Sequence, residues 1–208
     1  MTLIKICGIT NLDDAVAAIA MGVDVLGFNF YKPSPRYLTP QSAREIISQL
    51  PNNVLKVGVF VNEESPEVVQ NIANESGVTA VQLHGDESPD YCRELAPQYT
   101  IKALAVSHNF DINMAQHYPV DAIMLDTKHN KLRGGTGQVF DWSIAQQVNR
   151  NVPTLYLAGG LSPENVAVAI ETVRPYAVDA CSSLEISPGK KNHDRMRAFV
   201  AAVRSVKP

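Results

Sequence analysis

The feature that most constrains this chain is a strand-then-helix alternation that recurs eight times. Strand patterns begin with the segment Leu3 to Cys7, stopped by Gly8, and return at Asp24 to Phe30, Val54 to Val61, Ala80 to His84, Thr100 to Val106, Asp121 to Asp126, Thr154 to Ala158 and Ala177 to Cys181. Helix patterns fall between them: Ala15 to Met21, entered through Asn11 with Asp13 and Asp14 in the first turn, then Pro40 to Leu50, Pro66 to Ser76, Pro89 to Leu95, Asp111 to His117, Asp141 to Val148, Pro163 to Thr172 and Asp194 to Arg204. Alternation of this kind implies a parallel sheet covered by helices, and eight units are the number that closes a barrel. The fold class is therefore α/β, a single (β/α)8 TIM barrel spanning residues 1–208, with an open doubly wound sheet as the competing architecture.

The residues within the strands support closure more directly than the count does. Side chains alternate across a strand, so Ile4 and Ile6 share one face while Lys5 and Cys7 share the other. Gln82 and His84 lie opposite Val81 and Leu83, Asn29 lies opposite Phe28 and Phe30, and Asp126 lies opposite Ile123 and Leu125. In a barrel these polar groups point inward, and they cluster at strand C-terminal ends, where barrel active sites are built.

Composition removes several function classes. Hydrophobic residues make up 45% of the chain and charged residues 19%, and no apolar run reaches the length of a membrane span. The first strand begins almost at Met1, which leaves no room for a secretion signal and points to the cytoplasm. The formal charge is −3 and there is no long basic run, so nucleic acid is a poor partner. Three well-separated cysteines, Cys7, Cys92 and Cys181, indicate neither a disulfide framework nor a structural zinc site. The sequence sets no oligomeric state.

Cys7 and Asp126 come from distant strands but face one barrel mouth, an arrangement suited to a base and an acid acting on opposite ends of a small substrate. A free thiol ionises near ~8.5, and a neighbouring cation such as Lys5 raises its thiolate fraction. The plainer readings are a small buried hydrophobe for Cys7 and a turn aspartate for Asp126. Arg36, between Pro35 and Tyr37, offers a planar fork suited to a carboxylate, or is an ordinary solvated arginine. Gly159 and Gly160 follow the seventh strand and precede a helix start at Ser162-Pro163, so their amides suit a phosphate, or simply make a tight turn. A second glycine-rich stretch, Gly134 to Gly137, flanked by Lys128, Lys131 and Arg133, reads as a loop that closes over substrate or as a flexible linker. His84 reads either as site lining or as a rim contact and is assigned no chemistry.

Taken together these stretches resemble the phosphoribosylanthranilate isomerase family of tryptophan biosynthesis. The resemblance rests on Lys5 to Thr10, Gly27-Phe28 with Ser34 to Tyr37, Val57 to Asn62, Val81 to Glu87, Gly134 to Gly137 with Phe140 to Trp142, and Leu157 to Leu161, in family order from the first strand to the region of the last. It implies a barrel that converts N-(5-phosphoribosyl)anthranilate to 1-(2-carboxyphenylamino)-1-deoxyribulose 5-phosphate by an Amadori rearrangement, with no metal and no cofactor. On that resemblance Cys7 is the general base at C2 of the sugar and Asp126 the general acid at the furanose oxygen. Arg36 binds the anthranilate carboxylate, and the turns at Gly159-Gly160 and Ser182-Ser183 hold the phosphate.

One departure stands out. The family typically reads Asp-Val-Ser-Ser-Gly-Val-Glu near the eighth strand, where this chain has Asp179 to Glu185 with Ser183 in the glycine position. The expectation is that the turn keeps an ordinary conformation and that the Ser183 hydroxyl donates to the phosphate. Two other functions compete: isomerisation of a phosphoribosyl imidazole carboxamide, which similar barrels perform with an aspartate as base, and a non-catalytic phosphate-binding barrel. Cys7 argues against the first, and Cys7 with Asp126 against the second.

Overall fold

Eight short strands whose residues alternate between apolar and polar faces close on themselves in this protein. A computed structural model describes residues 1–107, 109–127 and 141–207. The strands are β1 (Leu3–Ile6), β2 (Val25–Asn29), β3 (Leu55–Phe60), β4 (Ala80–Leu83), β5 (Tyr99–Val106), β6 (Ala122–Thr127), β7 (Leu155–Leu157) and β8 (Ala177–Ala180). Each pairs in parallel with its sequence neighbour, and β1 pairs with β8 from Leu3↔Ala177 to Ile6↔Ala180, which excludes the open sheet. The helices are α1 (Leu12–Ala20), α2 (Pro40–Ile47), α3 (Pro66–Ser76), α4 (Pro89–Arg93), α5 (Trp142–Asn149), α6 (Val166–Val173) and α7 (His193–Ser205). As the sequence suggests, the Asn11 side chain caps α1 by accepting from Asp14 N at 2.9 Å.

The structure corrects three elements. The fifth crossover, Ile112–His117, is a 3-10 helix rather than an α-helix. The sixth helix starts at Val166, three residues beyond Pro163, because the Asn165 side chain is committed to the preceding turn: it accepts from Ser162 N at 2.8 Å and donates to Gly160 O at 2.9 Å. A small antiparallel hairpin, β9 (Glu185–Ser187) with β10 (Lys190–Lys191), stands between β8 and α7 where the sequence shows no strand pattern.

Two apolar cores result from the alternation. Ile4, Ile6, Leu26, Phe28, Phe60, Val81, Leu83, Leu125 and Leu157 face outward against the helices, while Val25, Val57, Ile101, Met124 and Tyr156 fill the barrel's lower interior. Above that plug the interior turns polar: Lys5 and Gln82 are buried, and Asp126 and Asp179 are nearly so. Among the described residues, no helix is long and apolar enough to cross a membrane.

The loop after β4 shows how a buried charge pair shapes the rim. Lys102 points outward from β5 and donates to Glu87 Oε2 at 2.8 Å and to Gly85 O at 2.8 Å, with both charged side chains almost wholly buried. Glu87 folds back to accept from Gly85 N and from Asn62 N, which ties the β4 loop to the end of β3. Glycine at position 85 leaves room for these side chains, since a Cβ there would lie 2.1 Å from Asn62 Oδ1 and 2.5 Å from Glu87 Oε1. Removing one member of such a pair strands the other charge without a partner. Glu87→Ala is therefore expected to lower the free energy of unfolding by about 3–5 kcal/mol in urea titrations, and a loss below about 1 kcal/mol would show that Lys102 finds other partners.

Candidate active site

Cys7 extends β1 past its last paired residue: its N–H donates to Ala180 O at 3.0 Å, continuing the ladder to β8. The side chain points into the barrel mouth, and space for it comes from the neighbouring strand, where a Cβ on Gly27 would lie 2.7 Å from Cys7 Sγ. The thiol is almost entirely buried yet surrounded by donors and cations. Cys181, the residue that follows β8, lies beside it across the β1–β8 seam and donates its own Sγ–H to Glu185 Oε1 at 3.9 Å, and the Lys5 and Lys191 ammonium groups and His84 lie close by. These influences outweigh burial and hold Cys7 well below the usual thiol range, the neighbouring Cys181 thiol being the largest. Cys181 is pushed well above that range, first by the neighbouring Cys7 sulfur and then by burial. The opposite directions favour negative charge on Cys7 over Cys181.

Two ion pairs frame this sulfur. Lys5, fully buried, donates to Asp179 Oδ1 at 2.9 Å. Burial pushes Asp179 up to about 7 despite the Lys5 charge beside it, and the negative Cys7 and Asp126 nearby act in the same direction. Lys191 is the second cation. It donates to Cys7 O at 2.6 Å and to Glu185 Oε1 at 2.9 Å.

Glu185 also receives Arg36 in a bidentate pair, Nε to Oε1 at 2.8 Å and Nη2 to Oε2 at 2.6 Å. The loop from Tyr31 to Tyr37 that carries Arg36 is shaped by Asn29, which accepts from Tyr31 N and donates to Ser34 Oγ. Gly8, in the left-handed region at φ +74, lets the arginine stem pass, since a Cβ there would meet Arg36 Cδ at 2.6 Å. Arg36 is thus no solvated arginine. One edge of its fork is committed to Glu185, and Nη1 is left to meet a ligand.

Asp126 stands on β6, mostly buried, with Oδ1 accepting from Thr127 N at 2.7 Å and Oδ2 lying 3.3 Å from His84 Nε2. His84 Nδ1 meets Gln82 Nε2 at 2.9 Å, so the ring accepts there and presents Nε2–H to Asp126. His84 therefore belongs to the site as the group that orients Asp126. Gly159, at φ +85, packs against this carboxylate, where a Cβ would lie 3.1 Å from Oδ1.

The anion pocket lies beside Asp126. Gly159 and Gly160 both have positive φ, and with the 3-10 turn Ser182–Leu184 they line one cleft together with Asp126, Asp179 and Cys181. Among the described residues, the N–H groups of Gly160, Ser182 and Ser183 meet no acceptor. Such converging amides form a nest for an anion. Ser183 keeps an ordinary backbone, as the sequence reading expects, but its hydroxyl donates to Leu161 O at 2.5 Å. That hydroxyl proton ties the β8 turn to the β7 turn. The loop with Lys128, Lys131, Arg133 and Gly134 to Gly137 lies outside the described residues.

Sequence reasoning places Cys7, Asp126, Arg36, Gly159, Gly160, Ser182 and Ser183 at the site, and the structure brings them to one barrel mouth. It misses Glu185, Lys191 and the contact between Cys181 and Cys7. Nothing local marks these, since each acts on a residue almost the whole chain away. A larger hollow at the opposite end of the barrel, around Met1, Leu155, Tyr176 and Val206, carries none of these groups.

Similarity to known proteins extends over nearly the whole chain. The family model described as N-(5'-phosphoribosyl)anthranilate (PRA) isomerase matches residues 4–202. The N-(5'-phosphoribosyl)anthranilate isomerase of Thermotoga neapolitana is 47% identical over 99% of this chain and 100% of its own length, and that of Syntrophus aciditrophicus is 47% identical over 98% of this chain and 88% of its own. The solved phosphoribosyl anthranilate isomerase of Thermotoga maritima superposes with a TM-score of 0.93 at 44% identity, covering 99% of this chain and 100% of that one. A further structure, a phosphoribosyl anthranilate isomerase in complex with reduced 1-(o-carboxyphenylamino)-1-deoxyribulose 5-phosphate, superposes at 0.89 with 43% identity over 99% of this chain and 100% of that one. With a closed eight-stranded barrel, Cys7 and Asp126 at one barrel mouth and nearly full-length similarity to these enzymes, the chain belongs to the N-(5'-phosphoribosyl)anthranilate isomerase family.

Proposed function

We propose that in this isomerase of tryptophan biosynthesis Cys7 is the general base and Asp126 the general acid of the Amadori rearrangement, acting on the phosphorylated sugar from opposite sides of the mouth. The observation that carries the reading is the placement of Cys7 at the barrel mouth beside Lys5, Lys191 and Cys181. These neighbours hold its thiol well below the usual range and so ready it to take a proton. Asp126 protonates the furanose oxygen as the ring opens to the imine. Cys7 then removes the C2 proton, and the resulting enolamine becomes the aminoketone. His84 keeps the Asp126 carboxyl aimed at the ring oxygen.

Arg36 offers Nη1 to the anthranilate carboxylate while Glu185 holds the other edge of its fork. The amides of Gly160, Ser182 and Ser183 receive the phosphate, with Gly159 supplying the turn. These groups leave no step that calls for a metal or cofactor. The substrate is a small phosphorylated molecule of central metabolism, in keeping with a cytoplasmic setting and with no nucleic-acid or membrane partner.

Cys7→Ala is expected to lower kcat by at least about a hundredfold with the fold intact, and Asp126→Asn likewise, because each removes a proton-transfer group. In the unaltered protein the ascending limb of kcat/KM against pH should fall below the ordinary thiol value of ~8.5, since thiolate is the active form and Cys7 is held low. Undiminished turnover in Cys7→Ala would remove the thiol from the mechanism.

Arg36→Met is expected to raise KM by about ten- to a hundredfold, the value of one charge-assisted hydrogen bond. An unchanged KM would place the carboxylate elsewhere.

Ser183→Ala frees the β8 turn from Leu161 O and is expected to weaken competitive inhibition by inorganic phosphate by the roughly 0.5–1.5 kcal/mol of one hydrogen bond. An unchanged inhibition constant would show that the two turns hold their places without this link.

A further inference from the structure

The base proposed above has a second thiol as its direct neighbour. Ile6 is in register with Ala180 across the β1–β8 seam, and the next residues on the two strands are Cys7 and Cys181. Both side chains point into the barrel mouth, and Lys191 Nζ bridges the two residues, donating to Cys7 O at 2.6 Å and lying 3.9 Å from Cys181 Sγ. Paired strands run ~4.8 Å apart, within the ~4.4–6.8 Å that separates Cα atoms across a disulfide. Cys181 is only partly buried and lines the open cleft beside Asp126, so a small oxidant has a path to the pair. Cys92, the third cysteine, is buried on α4 outside the barrel.

We propose that Cys7 and Cys181 form an oxidisable dithiol site, in which a hydroperoxide closes a disulfide across the β1–β8 seam. The Cys7 thiolate attacks one peroxide oxygen and the O–O bond breaks. The leaving hydroxide takes a proton to become water, and Cys7 becomes a sulfenic acid. Cys181 then attacks the Cys7 sulfur, the S–O bond breaks, and the departing oxygen leaves as a second water with the Cys181 proton. Two thiols have given two electrons to one peroxide, and a dithiol reductant reverses the change by exchange.

The surroundings favour both steps. Lys5 and Lys191 supply the cations that keep Cys7 ionised for the first attack. The neighbouring Cys7 sulfur, ahead of burial, most strongly raises Cys181, its negative charge adding in the same direction, and a neutral sulfenic acid removes that charge. Lys191 Nζ, 3.9 Å from Cys181 Sγ, then favours the Cys181 thiolate, so the second thiol is released by the first oxidation. The effect of closure on turnover rests on the reading of Cys7 as the base, because a sulfur in a disulfide cannot accept the C2 proton.

The test is to treat the protein with hydrogen peroxide, map its peptides without reduction, and assay isomerase activity before and after dithiothreitol. The expected result is a Cys7–Cys181 linked peptide with Cys92 still free, together with at least a roughly tenfold loss of turnover that dithiothreitol reverses. Cys181→Ser, compared with its own untreated rate, should give no linked peptide and should lose activity beyond recovery as Cys7 proceeds to sulfinic acid. Cys181→Ala serves the same purpose if the serine variant does not fold. Sulfinic acid on Cys7 in the unaltered protein, with Cys181 still a free thiol, would overturn the dithiol site. A linked form with undiminished turnover would instead overturn the role of Cys7 as base while leaving the site in place.

Discussion

The buried ion pair between Lys5 and Asp179 is the interaction on which the rest of the site depends. It joins the first strand to the last across 174 residues inside the barrel, Lys5 fully buried and Asp179 nearly so. Neither charge is affordable alone at that depth, so the pair fixes which strands meet and in which register. Once β1 and β8 are locked together, Cys7 and Cys181 fall side by side and the Lys5 ammonium is beneath them. The hydrophobic plug of Val25, Ile101, Met124 and Tyr156 below excludes water from one side, leaving the mouth as the open end of the interior.

A second charge cluster sits on the rim. Glu185 receives Arg36, Lys191 and the Gly189 N–H, and so links the loop after β2 to the hairpin after β8. One carboxylate thereby orients Arg36 and holds Lys191 beside Cys7. Full commitment of Glu185 also explains why its carboxyl is held below the usual range even though burial, the largest single influence, pushes it upward. The hairpin β9–β10 is short and polar, and its Lys191 end is the buried one. Its place in the fold follows from that lysine rather than from strand propensity.

What the sequence makes legible follows a physical division between local and distant information. Strand alternation is local, so the inward set Lys5, Cys7, Asn29, Gln82, His84 and Asp126 and the barrel they imply can be read from the chain. Partners are distant, so Arg36 reads equally as a solvated side chain until Glu185, 149 residues away, is placed against it. Cys181 looks like one of three unrelated cysteines until closure makes it the neighbour of Cys7. The Ser183 hydroxyl reads as a phosphate donor because Leu161 O, on the adjoining turn, is invisible to a linear reading. The late start of α6 has the same origin, a side chain at Asn165 spent on the turn before it.

The closure of β8 onto β1 has a further consequence for when the chemistry exists at all. The thiol at position 7 is made early in synthesis, but the groups that ionise it, Cys181 and Lys191, are among the last to be made. A growing or partly folded chain therefore carries Cys7 as an ordinary thiol, with the proton affinity of a free cysteine and no special reactivity. Only completion of the ring brings Cys181 and Lys191 beside it to hold its proton affinity low. The reactivity of this one sulfur toward an electrophile is thus a built-in reporter of folding, silent until the first and last strands have met.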